Sequence, residues 1–325
     1  MRIPPDYQIS PKILELISRI DSYKIFFKDK NIPDELKNNI QRISLLKSSV
    51  FSARIEGNPL TIDEVQTSKD KLKKLEIYNI LDAINSLNRL IKNKQVINRK
   101  IIKDIHSFVM KNLTPDTGRF RKVMTAIFNQ AGVVIYITPP PEKVSSLLTQ
   151  LNKFINSDGG KFPLITAFIS HLVFEKIHPF LDGNGRVGRL LIFAILKAKN
   201  YDFGFFIPFE EYLDKHKSDY YFYLDTGLQN TNDYLIFMLR SFLSQVEDLK
   251  KRIADMENQK IILPPRLNEI YNIIKDHTMI SFDFIRRRFL KVPERTLRYD
   301  LKKLADKELI LKIGKTRGSY YKIRA

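Results

Sequence analysis

The stretch Ile177–Leu190 reads IHPFLDGNGRVGRL and lies between two segments of helical period. Apolar residues recur three and four apart over Ile165–Ile177, and Pro179 then forces the chain out of helix near His178, because the residue before a proline is driven from the α region. Arg186–Lys199 is helical again, so Asp182-Gly183-Asn184-Gly185 fills a tight loop that opens a helix N-terminus. Its two glycines allow positive φ and close backbone approach. The first free N–H groups of the helix, at the positive end of its dipole, suit phosphate oxygens. Arg186 and Arg189, three apart, share a face and add charge-assisted bonds to the same anion. Asp182 supplies one hard carboxylate of the kind that holds Mg²⁺ beside substrate phosphates. His178 is the one side chain there able to exchange a proton near neutral pH.

Three rival readings of this loop compete. Gly183, Gly185 and Gly188 match the dinucleotide fingerprint GxGxxG, but a helix and not a strand precedes them, which argues against a Rossmann turn. His171, Glu175 and His178 fall at i, i+4 and i+7 and could form a metal face, although a histidine pair on a helix is more often a packed core feature. A structural turn with solvated arginines leaves unexplained why an Asp, a His and two Arg converge on an anion-ready loop.

His178 to Arg189 resembles the signature HPFx[DE]GNGRxxR of the Fic-domain family at all nine specified positions. The likeness extends over roughly residues 60–245, through FEKIHPF, Gly118-Arg119-Phe120-Arg121, Thr138-Pro139-Pro140 and Tyr220-Tyr221. It implies a mainly α fold, a Fic-type helical core with a small β-hairpin flap. It also implies a protein adenylyltransferase, moving AMP from ATP to a Ser, Thr or Tyr hydroxyl of a target protein or of the chain itself. By the same resemblance His178 is the general base and Asp182 holds Mg²⁺. The backbone of Gly183, Asn184 and Gly185 forms the anion hole, with Asn184 also contacting the α-phosphate. Arg186 and Arg189 grip the β- and γ-phosphates, and Phe180 anchors the loop in the core. The division is physically coherent, since such transfers need positioning and charge neutralisation more than covalent chemistry. A hairpin over Met124–Ile137 either pairs with a target segment as an extra strand or simply covers core. Tyr220 and Tyr221 are adenine candidates or core residues; His106, His216 and His277 read as ordinary.

Leu36–Ile55 reads as an amphipathic helix ending at Glu56-Gly57-Asn58-Pro59. A carboxylate in a final helical turn opposes the macrodipole, so Glu56 needs a cation from elsewhere. Ser52-Ala53-Arg54-Ile55-Glu56-Gly57 resembles the inhibitory motif [ST]xxxE[GN] of Fic proteins, which implies that Glu56 pairs with Arg189 and blocks the γ-phosphate position. The same glutamate could position a water for the reverse reaction, AMP removal.

The last fifth of the chain follows a different logic. Arg266–Asp276, Phe282–Phe289 and Arg295–Lys307 read as helices, and Leu309–Ile323 as a hairpin. Arg295, Arg298 and Lys302 share a face opposite Leu297, Leu301 and Leu304. The pattern resembles a winged helix-turn-helix, with the third helix in a DNA major groove and Lys315 and Arg317 near the backbone. A protein-docking role is the competing reading. A DNA-binding regulator whose Fic core senses nucleotide, or a transferase of another phosphate-linked group, stays open beside the adenylyltransferase.

Composition bounds these readings. The 325 residues suffice for about two domains with real cores. The absence of cysteine removes thiolate zinc, iron–sulfur and cysteine-nucleophile chemistry. Fifty-five basic against 36 acidic residues give +19, which suits a polyanionic partner. Residues 261–325 hold 16 of the basic and 7 of the acidic ones, almost half the excess. The longest apolar run, Leu190–Leu196, is far short of the ~20 residues a membrane span needs, and no signal segment opens the chain, so a soluble cytoplasmic protein is expected. Expected domains are a helical region 1–60 with the inhibitory motif, a Fic core 61–257, and a winged-helix domain 258–325. The family resemblance points to a homodimer.

Overall fold

The computed structural model describes residues 1–128, 132–157, 162–258, 263–277, 279–314 and 319–324. The chain divides into two compact units, 1–254 and 255–325.

The first unit is built on α7 (Pro163–Ile177) and α8 (Asn184–Ala198), the two helices that flank the quoted loop. Proline at the first turn starts α7 where its missing N–H costs nothing, and fourteen of its fifteen residues are buried. A helix apolar on every side belongs at a centre, and the others gather round it. α6 (Pro141–Ser157) packs on α7; α4 (Lys71–Leu90) and α5 (Arg99–Val109) pack on α8. Asp70 and Asn98 cap α4 and α5 by accepting the N–H groups of Leu72 and Lys73, and of Ile101. α2 (Asp34–Ile55) lies against α4, α8 and α9 (Glu210–Lys215). Around these run α1 (Pro11–Asp29), the single turn α3 (Glu64–Thr67), α10 (Lys217–Thr226) and α11 (Thr231–Asn258), within which the division between units falls. Phe168, Phe174, Leu172, Leu191 and Ile195 form the fully buried centre. Truncating Phe168 or Phe174 to Ala should cost about 3–5 kcal/mol.

The expected hairpin is present as β1 (Ala126–Phe128) antiparallel to β2 (Val134–Ile137), with Gly132 at φ 75°. Val133, Val134, Ile135 and Ile137 are exposed, so the hairpin does not serve as a lid on core. α1 and α6 have no counterpart among the helices read from the sequence.

The second unit runs α12 (Pro265–Lys275), β3 (Ile280–Ser281), α13 (Phe282–Arg288), α14 (Glu294–Asp306), β4 (Ile310–Ile313) and β5 (Tyr320–Ile323). Its sheet is antiparallel in the order β3-β5-β4. Leu297, Leu301 and Leu304 of α14 are buried with Ile270, Ile274, Ile285 and Ile310 in a separate core. β3 escaped the sequence reading because two residues carry no period. No described helix is long and apolar enough to cross a membrane.

Candidate active site

His178 is the residue where α7 stops. Its backbone is left-handed (φ 48°, ψ 62°), and its N–H still bonds to Phe174 O at 2.9 Å. Nδ1 lies 3.3 Å from Glu175 O. A carbonyl can only accept, so the proton sits on Nδ1 and Nε2 is left as the basic nitrogen. Burial lowers the His178 pKa, with the Arg121 cation adding to it, while the Glu175 carbonyl, Glu56 and Asp182 pull the other way. The ring is therefore neutral and ready to take a proton at pH 7.

The loop after it is held from inside. Phe180 is fully buried beside Phe120 and Phe174, and His106 stacks on it at 3.8 Å between ring centroids. The Asn184 side chain accepts from Phe180 N–H and donates to Phe180 O, both at 2.9 Å. Both ends of that amide are thus occupied in closing the turn. The Asn184 backbone N–H, at the start of α8, is the group left for the expected contact with a phosphate. Gly183 caps α8 with φ 78°, and the first helical bond is Val187 N–H to Gly183 O at 3.0 Å. The N–H groups of Asn184, Gly185 and Arg186 precede that bond and form the open positive end of α8.

Asp182 is exposed, its side chain 68% accessible, and Oδ1 accepts from Gly183 N–H at 2.5 Å and faces Arg186 Nη2 at 3.3 Å. Arg186 is buried, with Nε lacking a partner. Arg189 is only 1% exposed. Its Nε donates to Ser52 Oγ at 3.0 Å, and Nη2 donates to Ser52 O and Glu56 Oε1, each at 2.9 Å. Burial alone would lower the Arg189 pKa, but Glu56 and Tyr220 more than offset it and the guanidinium stays charged. A Cβ on Gly185 would collide with Glu56 Oε1, so glycine there admits the carboxylate against the start of α8. Glu56, His178, Gly185 and Arg189 line one cavity of about 840 Å³, with Ile127 and Ile135 of the hairpin and Lys217 and Tyr221 of α10.

Three further groups support the site. His106 lies in the apolar stripe of α5 with Ile102, Ile105 and Val109. Its Nδ1 accepts Gly118 N–H at 2.8 Å, which leaves Nε2–H to donate to Asp182 O at 3.2 Å. His106 is thus a core residue, one of the two ordinary readings given to it, and from the core it also holds the loop. Arg121, 3% exposed, donates to the carbonyls of His178 (2.8 Å), Val123 (2.9 Å) and Pro139. It ties both ends of the hairpin to the backbone of His178. Burial lowers its pKa.

His171 and Glu175 sit behind Arg189 without forming a metal face. His171 Nε2 is 2.9 Å from Tyr220 Oη, and His171 Nδ1 is 3.8 Å from Glu175 Oε1. Burial, then the Arg189 charge, lower the His171 pKa to about 3; burial raises that of Glu175 to about 8. Both are neutral at pH 7. Among the described residues no group of three or more His, Asp and Glu could hold a metal. Tyr220 and Tyr221 both line the cavity, Tyr220 as a buried side chain of this network and Tyr221 as a more exposed one.

In the second unit, Arg295, Arg298 and Lys302 are exposed. Arg298 is not fully free: its guanidinium lies 3.8 Å over the ring of Phe282 and 3.7 Å from Glu294. Lys315 and Arg317 lie outside the described residues.

Residues 96–196 match the model of the Fic/DOC family. A curated relative from Drosophila erecta, protein adenylyltransferase Fic, is 28% identical over 217 residues, and that of Drosophila melanogaster matches equally. The match covers 63% of this chain and 40% of those relatives, so the chain spans well under half their length. A Fic family protein from Desulfovibrio desulfuricans shares the fold with TM-score 0.73 at 22% identity, over 98% of both chains. Fic-1 from C. elegans (residues 134–508) shares it with TM-score 0.60 at 20% identity, over 77% of this chain and 73% of that one. The loop built on His178, closed by Asn184 and opening α8 lies within the stretch, residues 96–196, that matches the Fic/DOC family model.

Proposed function

We propose that this chain transfers AMP from ATP to a hydroxyl side chain of a protein, its own included. The observation that carries the reading is one cavity in which His178, the open N-terminus of α8 and a buried arginine meet. The hydroxyl proton passes to His178 Nε2 as the oxygen bonds to the α-phosphorus. The bond from that phosphorus to the bridging oxygen breaks, and pyrophosphate leaves. Charge on the phosphates meets the N–H groups of Asn184, Gly185 and Arg186 and the guanidinium groups of Arg186 and Arg189. Asp182 would hold Mg²⁺; a single exposed carboxylate beside a phosphate cradle fits an ion that keeps several waters. When bound, that ion supplies further neutralisation of phosphate charge. The exposed hairpin edge suits a target segment laid alongside it as a strand.

The chain is held off in this state. Glu56 occupies Arg189, the cation a terminal phosphate would need. Incubation of the Glu56→Gly form with α-labelled and γ-labelled ATP tests the chemistry. Label on protein from the α-position alone supports AMP transfer; γ-label would replace it with a kinase reaction, and no label from either with sensing.

For the second unit we propose a winged helix that binds DNA through α14, supported by the helix–strand–helix–helix–hairpin order and the exposed Arg295 and Lys302. The reading also takes the protein as a cytoplasmic homodimer, which fractionation and sedimentation would check.

A further inference from the structure

The inhibitory glutamate sits one residue beyond α2, so its aim depends on what fixes that helix's last turns. Two ion pairs and two hydrogen bonds do so, all from α9, α10 and the bend between them. Lys47 Nζ donates to Glu211 Oε2 at 2.7 Å, and Arg54 Nε donates to Asp214 Oδ2 at 2.9 Å. The carboxylates of Glu211 and Asp214 are close to buried, with side chains 9% and 11% exposed. The carbonyls of Arg54 and Ile55, among the last four of α2 and so without helical partners, accept from Lys217 Nζ at 3.4 Å and Tyr221 Oη at 3.0 Å. Ser44, Ser48 and Ser52, four apart and buried, give that side of α2 only small side chains.

Of the residues so far named at this end of α2, Ile55, Lys217 and Tyr221 line the cavity, whereas Lys47, Arg54, Glu211 and Asp214 do not, and Asp214 and Glu211 touch neither His178 nor the α8 N-terminus in any hydrogen bond or ion pair among the described residues. Their position nevertheless controls where Glu56 points. Half-buried ion pairs with short, well-directed geometry hold a helix end more firmly than exposed ones, which contribute little.

We propose that Asp214 and Glu211, through Arg54 and Lys47, are positioning residues that latch the end of α2 and thereby set how tightly Glu56 holds Arg189. This rests on the autoinhibition reading above. The latch acts on the population of the inhibited state and not on chemistry. Loosening it shifts the chain toward the open state only while Glu56 is present.

The test is a double-mutant cycle on AMP transfer from α-labelled ATP, using full-length protein. Asp214→Asn should raise the rate about fivefold in the parent chain and leave the Glu56→Gly chain within experimental scatter, since coupled residues deviate from additivity. Glu211→Gln should act in the same direction. The charge swap Arg54→Asp with Asp214→Arg should restore the low parental rate. Thermal melting of each variant separates a latch effect from general loosening. Equal rate changes in both backgrounds, or no change in the parent, would overturn the latch while leaving Glu56 inhibitory. If Glu56→Gly itself labels no faster than the parent, the inhibition reading fails and the latch with it.

Discussion

The loop Ile177–Arg189 and the helix α14 both present arginines three residues apart, yet the two regions use them in opposite ways. Arg186 and Arg189 are buried, and Arg189 donates three hydrogen bonds, two to Ser52 of α2 and one to Glu56 just beyond it. Arg295 and Arg298 are exposed, and Arg298 lies over Phe282 of the unit's own core and near Glu294. A buried guanidinium must be compensated, because stranding it costs several kcal/mol. An exposed one is already solvated and is free to meet a polyanion. The proposed chemistry and its control thus draw on charge placed inside, and the proposed association with DNA on charge placed outside.

The largest effect that would sharpen the contrast lies at His178. His178→Ala should lower AMP transfer about 10²–10⁴-fold, measured in the Glu56→Gly background with the melting temperature unchanged. A residual rate near the parent's would remove the base from the account. Next comes Glu56→Gly, which should raise transfer at least about tenfold if the clamped state dominates ten to one.

A pH profile probes the same site through its electrostatics. Burial and Arg121 hold the His178 pKa below its ordinary 6.5, so activity should fall only on the acid side of that value. Arg121→Gln removes a cation, raises that pKa and should move the acid limb to higher pH. Arg121→Lys keeps the charge and should leave the limb in place while lowering kcat, since one ammonium cannot hold three carbonyls in a fork. The same limb in all three proteins would separate Arg121 from the base. The smallest effect concerns α14. If it lies on DNA, Arg295→Ala and Arg298→Ala should each reduce the salt slope of binding by about one, and neither should alter AMP transfer.

Most of the site was legible because its chemistry is local. The turn at Pro179, the glycines of the loop and the two arginines lie within one stretch, and the helices flanking it follow from period alone. Helix ends read from apolar spacing fall within one or two residues of α2, α7 and α8. What was not legible depends on distant pairs. The Asn184 amide looks free in sequence, but Phe180 takes both its ends. His106 and Asp182 are 76 residues apart, and no spacing rule connects them. Tyr220 and Tyr221 are neighbours in the chain and both reach the cavity, yet helical geometry buries one among His171 and Arg189 and leaves the other more exposed. α1 went unread because exposed apolar residues, Leu14 and Ile25 among them, blur its stripe, whereas Val144, Leu147, Leu148, Leu151 and Ile155 of α6 do follow the helical period.

The central claim is that a triphosphate lies along the start of α8 with its α-phosphorus beside His178 and its terminal phosphate where Glu56 now sits. A crystal structure of the Glu56→Gly form with a non-hydrolysable ATP analogue tests it most directly. The account predicts the α-phosphorus within reach of His178 Nε2 and the terminal phosphate paired with Arg189. A nucleotide bound away from the α8 N-terminus, with Arg189 bonded only to Ser52, would contradict it.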